Sequence, residues 1–444
     1  MHLPELRLDA EKRIGTIRAI NGVNLAPGLG DAILPAYNEL HAACARMHDA
    51  PYNSNARDLI DISRIFPLFH LDHNDPRNYR FQETDDYLKQ CIDGGTPVYY
   101  RLGESIEHQP IKYRIHPPAD FQKWAEICAH VIEHYNEGWN NGFHFNIKYW
   151  EIWNEPDAAG EWTGTQEQYA ELYITTSKYL KKRFPHLMIG GPGHIGDNLE
   201  PVHTFLKACR EAQAPLDFYS WHCYGCNVEF FRDQVQFVRD LVDSYGFTHS
   251  ELHLNEWHYA PCSWSKSPPN CRSMVYDHFM KYLESAAFTA AVLIEWQDTP
   301  LDMSCFYTGV GRGFGIFTAY GEITKVYCAL KAFGIMTQYP HRLAITKDPA
   351  VYALAGENDD GEIAVLLSVF PIMGSNVTIH LDFEPKDIRL YSVDVANNLD
   401  QVEAKFLGNS TVVPIGGKKV TFEKRIIVPI ATKPSVQLLK FKRS

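Results

Sequence analysis

The chain has 444 residues, of which 45% are hydrophobic, and its 54 acidic and 42 basic side chains give a formal net charge of -12. That length suits a barrel domain of about 250 to 350 residues followed by a smaller domain. The negative charge disfavours nucleic acid and anionic membranes as partners, and no apolar run reaches the roughly eighteen residues that a membrane-spanning helix needs.

Short apolar runs alternate with amphipathic helices over roughly the first three hundred residues, which is the pattern of βα units around a parallel sheet. Apolar residues at intervals of three and four predict a helix over Ala119–Tyr135, and Thr165 with Gln168 predicts a capping box for a second helix, Thr165–Leu180. The predicted strands are Thr16–Asn24, Ala43–Asp49, Pro97–Leu102, Ile147–Trp153, Leu187–Gly190, Phe218–His222, Leu252–Asn255 and Val292–Trp296. Eight strands with interleaved helices predict an α/β fold, the (β/α)8 TIM barrel, whose chemistry lies at the C-terminal ends of the strands.

Beyond Ile335 the apolar pattern changes to an alternation with period two, which is typical of antiparallel strands. The turn Asn358–Gly361 joins two such runs, Val351–Ala355 and Ile363–Ser368, into a predicted hairpin. Similar strands predict a C-terminal antiparallel β-sandwich. We favour a packing role for this domain over carbohydrate binding, because no exposed aromatic cluster can be read from its pattern.

The chain therefore divides into three segments. Residues 15–335 form the predicted catalytic barrel, and residues 336–444 form the predicted β-sandwich. Residues 1–14 are an N-terminal segment that we expect to pair with the sandwich through a strand from Leu6 to Arg13.

Glu155 lies in the sequence WEIWNEPD, Trp150–Asp157, and is the strongest candidate for a catalytic residue. An apolar and aromatic run predicts a buried strand that delivers Asn154 and Glu155 to its end, where Pro156 stops it. Apolar surroundings raise the pKa of a carboxyl group because they disfavour its charged form. Glu155 is therefore interpreted as a general acid near neutral pH. The alternative is a strand-end glutamate that forms an ion pair.

A second glutamate, Glu256, follows an asparagine at the end of another predicted strand, in the sequence ELHLNEWHY, Glu251–Tyr259. About a hundred residues separate it from Glu155, which is roughly three βα units and fits the fourth and seventh strands of a barrel. Two carboxylates at matched strand ends are typical of glycoside hydrolases. The alternative from another class is a catalytically silent barrel that binds carbohydrate or acts as a scaffold.

Six short motifs follow one another along the chain. They are RMHD at Arg46–Asp49, YYRLG at Tyr99–Gly103, WNEPD at Trp153–Asp157, SWHCY at Ser220–Tyr224, LNEW at Leu254–Trp257 and GRGFGIF at Gly311–Phe317. In this series the sequence resembles glycoside hydrolase family 39 of clan A, the family of β-xylosidases and α-L-iduronidases. The resemblance implies a retaining enzyme with Glu155 as the acid/base and Glu256 as the nucleophile.

The resemblance further implies an enzyme that needs neither a metal nor an organic cofactor and acts on an oligosaccharide or glycoside. A β-xylosidase is the leading choice, with α-L-arabinofuranosidase, α-L-iduronidase and a disaccharide-releasing glycosidase as alternatives. The long segment Ile60–Tyr79 predicts a loop that walls off one end of the site and makes the enzyme exo-acting. The sequence leaves open whether the protein forms a homo-oligomer.

Three further residues lie beside the predicted catalytic pair. Asn154 is expected to hydrogen-bond the sugar 2-hydroxyl. His222 is expected to bind substrate, and by resemblance Tyr224 donates a hydrogen bond to Glu256 and keeps it ionised. The alternatives are that Asn154 only caps the turn before Pro156, and that Tyr224 is a loop residue that only packs against its neighbours.

Arg46 and His48 end the second predicted strand, and Trp296 ends the eighth. By resemblance, Arg46 braces the nucleophile region, His48 contacts sugar hydroxyls, and Trp296 forms the floor beneath the sugar. The alternatives are that Arg46 forms an ion pair at the strand end, and that His48 is a core histidine whose hydrogen bonds are made within the protein. Glu295 is expected to point to the other face of the strand and to be structural.

The sequence departs from the β-xylosidase pattern after the eighth predicted strand, where Asp298, Asp302 and Arg312 stand in place of a paired acidic run. Arg312 could recognise a uronate carboxylate with two hydrogen bonds, or it could pair with one of these aspartates. We expect the ion pair.

Ten cysteines in a chain of this length fit a reduced protein with buried thiols better than a disulfide framework. Cys223 and Cys226 form a CxxC motif, and Cys262 and Cys271 follow the seventh strand, so a zinc site or a disulfide is the alternative to unrelated thiols. No apolar signal segment is visible, which predicts a cytoplasmic location, or secretion if a signal has been removed.

Overall fold

The computed structural model describes residues 4–26, 32–50, 58–262, 275–310, 313–370, 376–407, 424–430 and 434–443. They form a closed barrel of eight strands and a separate ten-stranded sheet. The TIM barrel with a second, largely antiparallel β domain is therefore confirmed. Within the described residues, no helix combines the length and the apolar character that a bilayer crossing requires.

The N-terminal strand β1, Glu5–Thr16, belongs to the second domain, and the barrel begins after it. The eight barrel strands run parallel in chain order, and the last one pairs with the first to close the barrel. They are β2 Asn21–Asn24, β3 Ala45–Met47, β4 Val98–Leu102, β5 Tyr149–Ile152, β6 Met188–His194, β7 Phe218–Gly225, β8 Glu251–Tyr259 and β9 Met303–Phe306.

In the described part of the chain, eight helices separate the barrel strands, and a ninth follows the last strand. They are α1 Leu34–Asn38, α2 Ile62–Ile65, α3 Gln82–Asp93, α4 Phe121–Asn136, α5 Gln166–Arg183, α6 Leu199–Glu211, α7 Val228–Ser244, α8 Leu283–Glu295 and α9 Lys325–Met336. Short 3₁₀ turns cover Pro76–Asn78, Trp139–Asn141 and Trp296–Asp298, and a π-helical turn covers Val275–Phe279. The predicted capping box is present at α5, where Thr165 and Gln168 each bind the backbone N–H of the other.

The second domain is a sheet that folds over its own core. Its remaining strands are β10 His341–Ile345, β11 Tyr352–Glu357, β12 Glu362–Val369, β13 Asn376–Leu381, β14 Pro385–Val393, β15 Asn398–Val402, β16 Lys405–Leu407, β17 Lys424–Pro429 and β18 Ser435–Arg443. Apolar side chains of β1, β12 and β13 are among those that meet in its core. The hairpin of β11 and β12 is the predicted one, with Tyr352 opposite Ser368.

The strand β1 connects the two halves of this sheet. It pairs antiparallel with β10 and parallel with β13. The parallel pair departs from the purely antiparallel sandwich that the alternation predicts, because β1 comes from the far end of the chain and its direction is not set by a hairpin.

The eighth predicted strand, Val292–Trp296, is wrong. Residues 283–295 form helix α8, and the eighth barrel strand is β9, further along the chain. Every residue of α8 except Glu284 is buried, because the helix contacts β8 of the barrel as well as β12 and β18 of the second domain. A helix buried on all sides is apolar all round, so periodicity does not distinguish its short apolar run from a buried strand.

Candidate active site

Glu155 lies in a tight turn directly after β5, at the C-terminal face of the barrel. Trp153 and Glu155 adopt φ values of 73° and 43°, a left-handed conformation that costs a residue other than glycine about 1 to 3 kcal/mol at a functional site. The Trp153 indole donates a 2.9 Å hydrogen bond to the backbone carbonyl of Glu161, which ties down the turn. The turn brings the Glu155 carboxyl to within 2.6 Å of His222 Nδ1, on β7.

Glu256 lies within β8 and is only 5% exposed. The pairing of β8 with β9 shifts register between Leu254 and Trp257, and such irregularities re-aim side chains at barrel rims. One Glu256 oxygen accepts a 2.9 Å hydrogen bond from Arg46, and the other accepts a 2.8 Å hydrogen bond from the Tyr224 hydroxyl. The contact between Tyr224 and Glu256 is the one that the family resemblance implies.

The two glutamates face each other across His222. One side-chain atom from each of Glu155, His222 and Glu256 lies within 4.8 Å of the other two, and His222 Nδ1 is 3.5 Å from Glu256 Oε2. A Cβ atom on Gly193 would approach His222 Nε2 to 3.0 Å, and φ at Gly193 is 67°. A glycine is therefore needed where β6 passes the imidazole.

Arg46, on β3, is the buried cation that joins these groups. Its guanidinium donates to Glu151 at 2.7 Å, to Glu256 at 2.9 Å, to Asn154 Oδ1 at 2.6 Å and to Asn24 at 3.0 Å. Asn154 Nδ2 is buried without a partner among the described residues. Because Arg46 fixes the amide oxygen, this N–H group is oriented and free to donate to a ligand.

Burial dominates the titration of both glutamates. It raises the pKa of Glu155 to about 8, with Asp157 adding to the effect and Arg46 opposing it. Burial also raises the pKa of Glu256, against the opposing effects of His222 and Arg46. Glu256 accepts hydrogen bonds from a cation and a phenol, which favour its charged form. These contacts therefore favour the proton on Glu155 and the carboxylate form of Glu256.

Comparison with known proteins agrees with this geometry. The sequence model of glycosyl hydrolases family 39 matches residues 101–308, which include both glutamates. A β-xylosidase of Geobacillus stearothermophilus is 30% identical over 231 residues, 47% of this chain and 41% of that enzyme. Residues 101–308 of the chain are thus similar to glycosyl hydrolase family 39. The match to the β-xylosidase spans less than half the length of this curated relative.

Solved structures share the fold over the whole of this chain. A glucosidase from Croceicoccus marinus has a TM-score of 0.80 at 22% identity and covers 100% of this chain and 99% of its own. A family 39 enzyme from Xanthomonas axonopodis pv. citri has a TM-score of 0.71 at 16% identity, with coverage of 100% and 98%. A monomeric β-xylosidase from Caulobacter crescentus has the same TM-score and identity, with coverage of 99% of both chains. At these identities, the likeness shows the barrel with its second β domain.

His48 lies at the site, between Glu256 and a second buried arginine. Arg101 Nε donates to His48 Nδ1 at 3.3 Å, so the ring hydrogen is on Nε2. That atom lies 3.6 Å from Glu256 Oε1 and 3.6 Å from Asp49 Oδ1. Arg101 is itself paired with buried Asp61 at 2.9 Å. The structure thus places Arg101 beside His48, beneath the site.

Trp296 does not form a floor beneath the site, and that expectation is wrong. It follows helix α8 rather than a barrel strand, and its indole donates a 3.0 Å hydrogen bond to the carbonyl of Phe231, on α7. The ring is buried edge-on against Trp257, with centroids 4.9 Å apart. Glu295 forms a structural ion pair with Arg232 at 3.3 Å. Trp296 is therefore a core residue.

Glu151 is a site residue that the sequence analysis missed. This fully buried carboxylate of β5 accepts a 2.7 Å hydrogen bond from Ser220 and a 2.6 Å hydrogen bond from Asn255, in addition to the Arg46 ion pair. It ties β3, β5, β7 and β8 together beneath the two glutamates. A charged residue inside the apolar run WEIW is the signal that could have revealed it.

Glu161 is a second carboxyl group that no sequence signal revealed. It lies in the loop after Glu155, and its Oε2 is buried without a partner among the described residues. Burial raises its pKa well above the ordinary value, Asp49 and Glu155 raise it further, and Arg101 opposes them. Burial therefore favours the neutral form of Glu161.

Glu155, His222 and Glu256 also form the one described group whose atoms are close enough together to hold a metal ion. The Arg46 cation on Glu256 disfavours a second positive charge there. Cys223, Cys226 and Cys262 are free thiols, and Cys271 lies outside the described residues. The proposed zinc site or disulfide of these four cysteines therefore stays a hypothesis.

Arg312 also lies outside the described residues, so its expected ion pair stays a prediction. Of its two candidate partners, Asp298 pairs with Arg342 at 2.7 Å and with Lys347 at 3.4 Å. Asp302 accepts a 2.8 Å hydrogen bond from the backbone of Leu252.

Proposed function

We propose that the protein is a retaining exo-glycoside hydrolase with β-xylosidase-like specificity. The observation that carries this proposal is the closeness of the two carboxyl groups, which approach within 4.8 Å. Retaining glycosidases hold the groups about 5 to 5.5 Å apart, whereas inverting ones leave about 6.5 to 9.5 Å for a water molecule. The shorter separation supports direct attack by Glu256 on the sugar.

In the first step, the Glu256 carboxylate attacks the anomeric carbon and forms an ester bond to the sugar. The bond to the leaving oxygen breaks as Glu155 gives that oxygen its proton. In the second step, the Glu155 carboxylate takes a proton from water, whose oxygen displaces Glu256 and restores both groups. The buried N–H of Asn154 is placed to bind the sugar 2-hydroxyl, a contact that strengthens in the transition state.

The charges of the site support the roles of Glu256 as the nucleophile and Glu155 as the acid/base. Arg46 and Tyr224 stabilise the anion of Glu256, and burial keeps the proton on Glu155. Once Glu256 is esterified, its negative charge no longer disfavours ionisation of Glu155, so the same group can then act as a base.

A set of 4-nitrophenyl glycosides tests the specificity. The β-xylosidase name belongs to the curated relative, and β-xyloside should be hydrolysed with the highest kcat/KM. Faster hydrolysis of α-L-arabinofuranoside, α-L-iduronide or a disaccharide glycoside would replace the β-xylosidase assignment. Proton NMR of the first-formed product should show retained anomeric configuration, and inversion would contradict the mechanism.

Covalent labelling tests the catalytic class against a silent, carbohydrate-binding barrel. A 2-fluoro-glycoside with an activated leaving group should add one sugar to the protein, and peptide mapping should locate it on Glu256. Glu256→Ala should take no label, whereas Glu251→Gln, at the opposite end of the same strand, should still be labelled. Wild-type protein that binds the sugar but takes no label would favour the silent barrel.

A further inference from the structure

A cavity of about 740 Å³ opens beside the catalytic pair, and its volume is in the range of ligand-binding clefts, about 300 to 1,000 Å³. It extends away from the carboxyl groups between the loops that follow β6, β7 and β8. Its outer wall carries Ile195, Cys226, Phe230, Ala260, Pro261 and Cys262. These side chains form an apolar surface next to a strongly polar site.

The position of Glu155 identifies which part of a substrate this cavity would receive. Glu155 and His222 line the cavity, whereas Glu256 is not among its described lining residues. In a retaining glycosidase, the acid and the nucleophile stand on opposite sides of the bond that breaks, and the leaving group departs beside the acid. The cavity is therefore on the leaving-group side, and the sugar to be transferred lies towards Glu256 and His48.

The charge of the lining restricts the chemistry of that leaving group. Asp197 and Glu155 are its described acidic residues, and its described lining contains neither lysine nor arginine. Negative charge without a cation disfavours an anionic ligand. The carbonyl oxygen of the Gln234 side chain already accepts a hydrogen bond from Trp221 at 3.2 Å. Among the described lining residues, few side chains are thus left to bind the several hydroxyl groups of a second sugar.

Phe230 is the large apolar surface of this wall. It lies in the first turn of α7, where its backbone N–H is bound by the Asn227 side chain at 2.6 Å, and 53% of the residue is exposed. The next residue, Phe231, is buried in the core against Trp296 and Phe288. Phe230 itself is therefore not needed to close the core, and its ring is available to a ligand.

We propose that this cavity binds the aglycone of the substrate, and that the aglycone is an uncharged, apolar alcohol containing an aromatic ring. Phe230 is its main contact. The proposal rests on the proposed function, because it assigns the leaving-group side of the same glycosidase site. It selects glycosides of apolar alcohols over oligosaccharides as the substrate class.

Two alkyl glycosides of the sugar preferred in the nitrophenyl series test the proposal. Methanol and 2-phenylethanol are leaving groups of similar acidity, so they make similar demands on Glu155. We expect kcat/KM to be at least about tenfold higher for the 2-phenylethyl glycoside. Phe230→Ala should remove most of this preference. Phe237→Ala should keep it, since Phe237 lies on the same helix, is 50% exposed, and is not among the described lining residues.

Two kinetic results would overturn the proposal while leaving the glycosidase mechanism intact. One is equal kcat/KM for the two alkyl glycosides. The other is a disaccharide of the same sugar that reacts faster than the 2-phenylethyl glycoside, which would assign the cavity to a second sugar.

Alkylation of Cys226 tests the cavity without catalytic turnover. This exposed thiol lines the cavity, and its reaction with iodoacetamide can be followed by peptide mass spectrometry. We expect 2-phenylethanol, but not methanol, to slow the reaction several-fold in the wild type and in Phe237→Ala, and not in Phe230→Ala. Protection without hydrolysis of any glycoside would contradict the proposed function and leave only a cavity that binds an apolar alcohol, whereas hydrolysis without protection would contradict the aglycone assignment alone.

Discussion

Arg46 donates a 2.9 Å hydrogen bond to Glu256, and both side chains are withdrawn from solvent. The same cation is paired with buried Glu151, so one positive charge lies between two carboxylates. A buried pair of this kind adds little to stability on balance, but removing one partner leaves an uncompensated charge. The arginine therefore fixes the ionisation state and the position of Glu256 rather than simply strengthening the fold.

Arg46→Lys tests this relationship. A lysine is a point charge without the planar fork of donors, so it cannot hold Glu151, Asn154 and Glu256 together. Because Arg46 opposes the raised pKa of Glu256, we expect the acidic limb of the pH profile of kcat/KM to move to higher pH. The rate at its optimum should fall at least about tenfold.

Arg342→Lys is the matched control for this substitution, since Arg342 pairs with Asp298 away from the site. It should leave the acidic limb where it is in the wild type. An Arg46→Lys enzyme with an unmoved limb would contradict the role assigned to Arg46.

The raised pKa of Glu155 predicts the pH at which kcat/KM falls on the alkaline side of its pH profile. The first step needs Glu155 protonated, so kcat/KM should fall as pH rises through about 8, the pKa to which burial raises this group. The limb belongs to the coupled pair of Glu155 and Glu256 rather than to either residue alone. In Glu155→Gln, the limb should disappear from rates measured on an aryl glycoside. A limb that persists unchanged would assign it to another group.

Leaving-group acidity separates the roles of the two glutamates. Glu155→Ala should keep fast formation of the glycosyl enzyme with 2,4-dinitrophenyl glycosides, because that leaving group needs no proton. Glu256→Ala should lose turnover on all glycosides by about a millionfold, and azide should partly rescue it as a glycosyl azide of inverted configuration. Identical behaviour of the two variants towards the dinitrophenyl substrate would contradict the assignment.

The raised pKa of Glu161 predicts how the stability of the fold depends on pH. Its folded-state pKa is raised well above its ordinary value, with burial as the largest cause. The folded state therefore holds this proton more tightly, and stability is lost as pH rises from the unfolded value, about 4.3, through the folded one. Glutamine mimics the neutral acid at every pH. The gain in Tm of Glu161→Gln over the wild type should thus grow between pH 5 and pH 8.

An exposed glutamate elsewhere in the chain is the control for that measurement. Glu211→Gln, at the exposed end of α6, removes the same charge from a solvated position. Its effect on Tm should be small and independent of pH over the same range. A Glu161→Gln difference that shrinks with rising pH would show that Glu161 is ionised in the folded protein.

The sequence revealed Glu155 and Glu256 because each follows an asparagine at the end of an apolar run, and strand ends meet at one face of a barrel. It did not reveal Glu161, since a loop carboxyl has no periodic pattern, and its burial depends on how the turn at Trp153 closes. It overlooked Glu151 because partners that neutralise a charge inside a strand lie on other strands, far away in the chain.

The eighth strand was misplaced for a different physical reason. Helix α8 is covered on both sides by the barrel and the second domain, so its sequence lacks the polar face that normally marks a helix. The true strand β9, Met303–Phe306, has only four residues and gives little period-two signal. The role expected for Trp296 depended on that strand end and was wrong with it.

Substitutions of Trp296 distinguish a core residue from a sugar platform. Its indole donates to Phe231 and packs edge-on against Trp257, so Trp296→Ala should lower the free energy of unfolding by about 3 to 5 kcal/mol. Trp296→Phe should cost less, because it keeps most of the packing and loses mainly the hydrogen bond. For both variants, kcat and KM per folded molecule should stay within about twofold of the wild type under conditions where they remain folded. A Trp296→Phe enzyme of unchanged stability whose KM rose about tenfold would instead place this ring against the sugar.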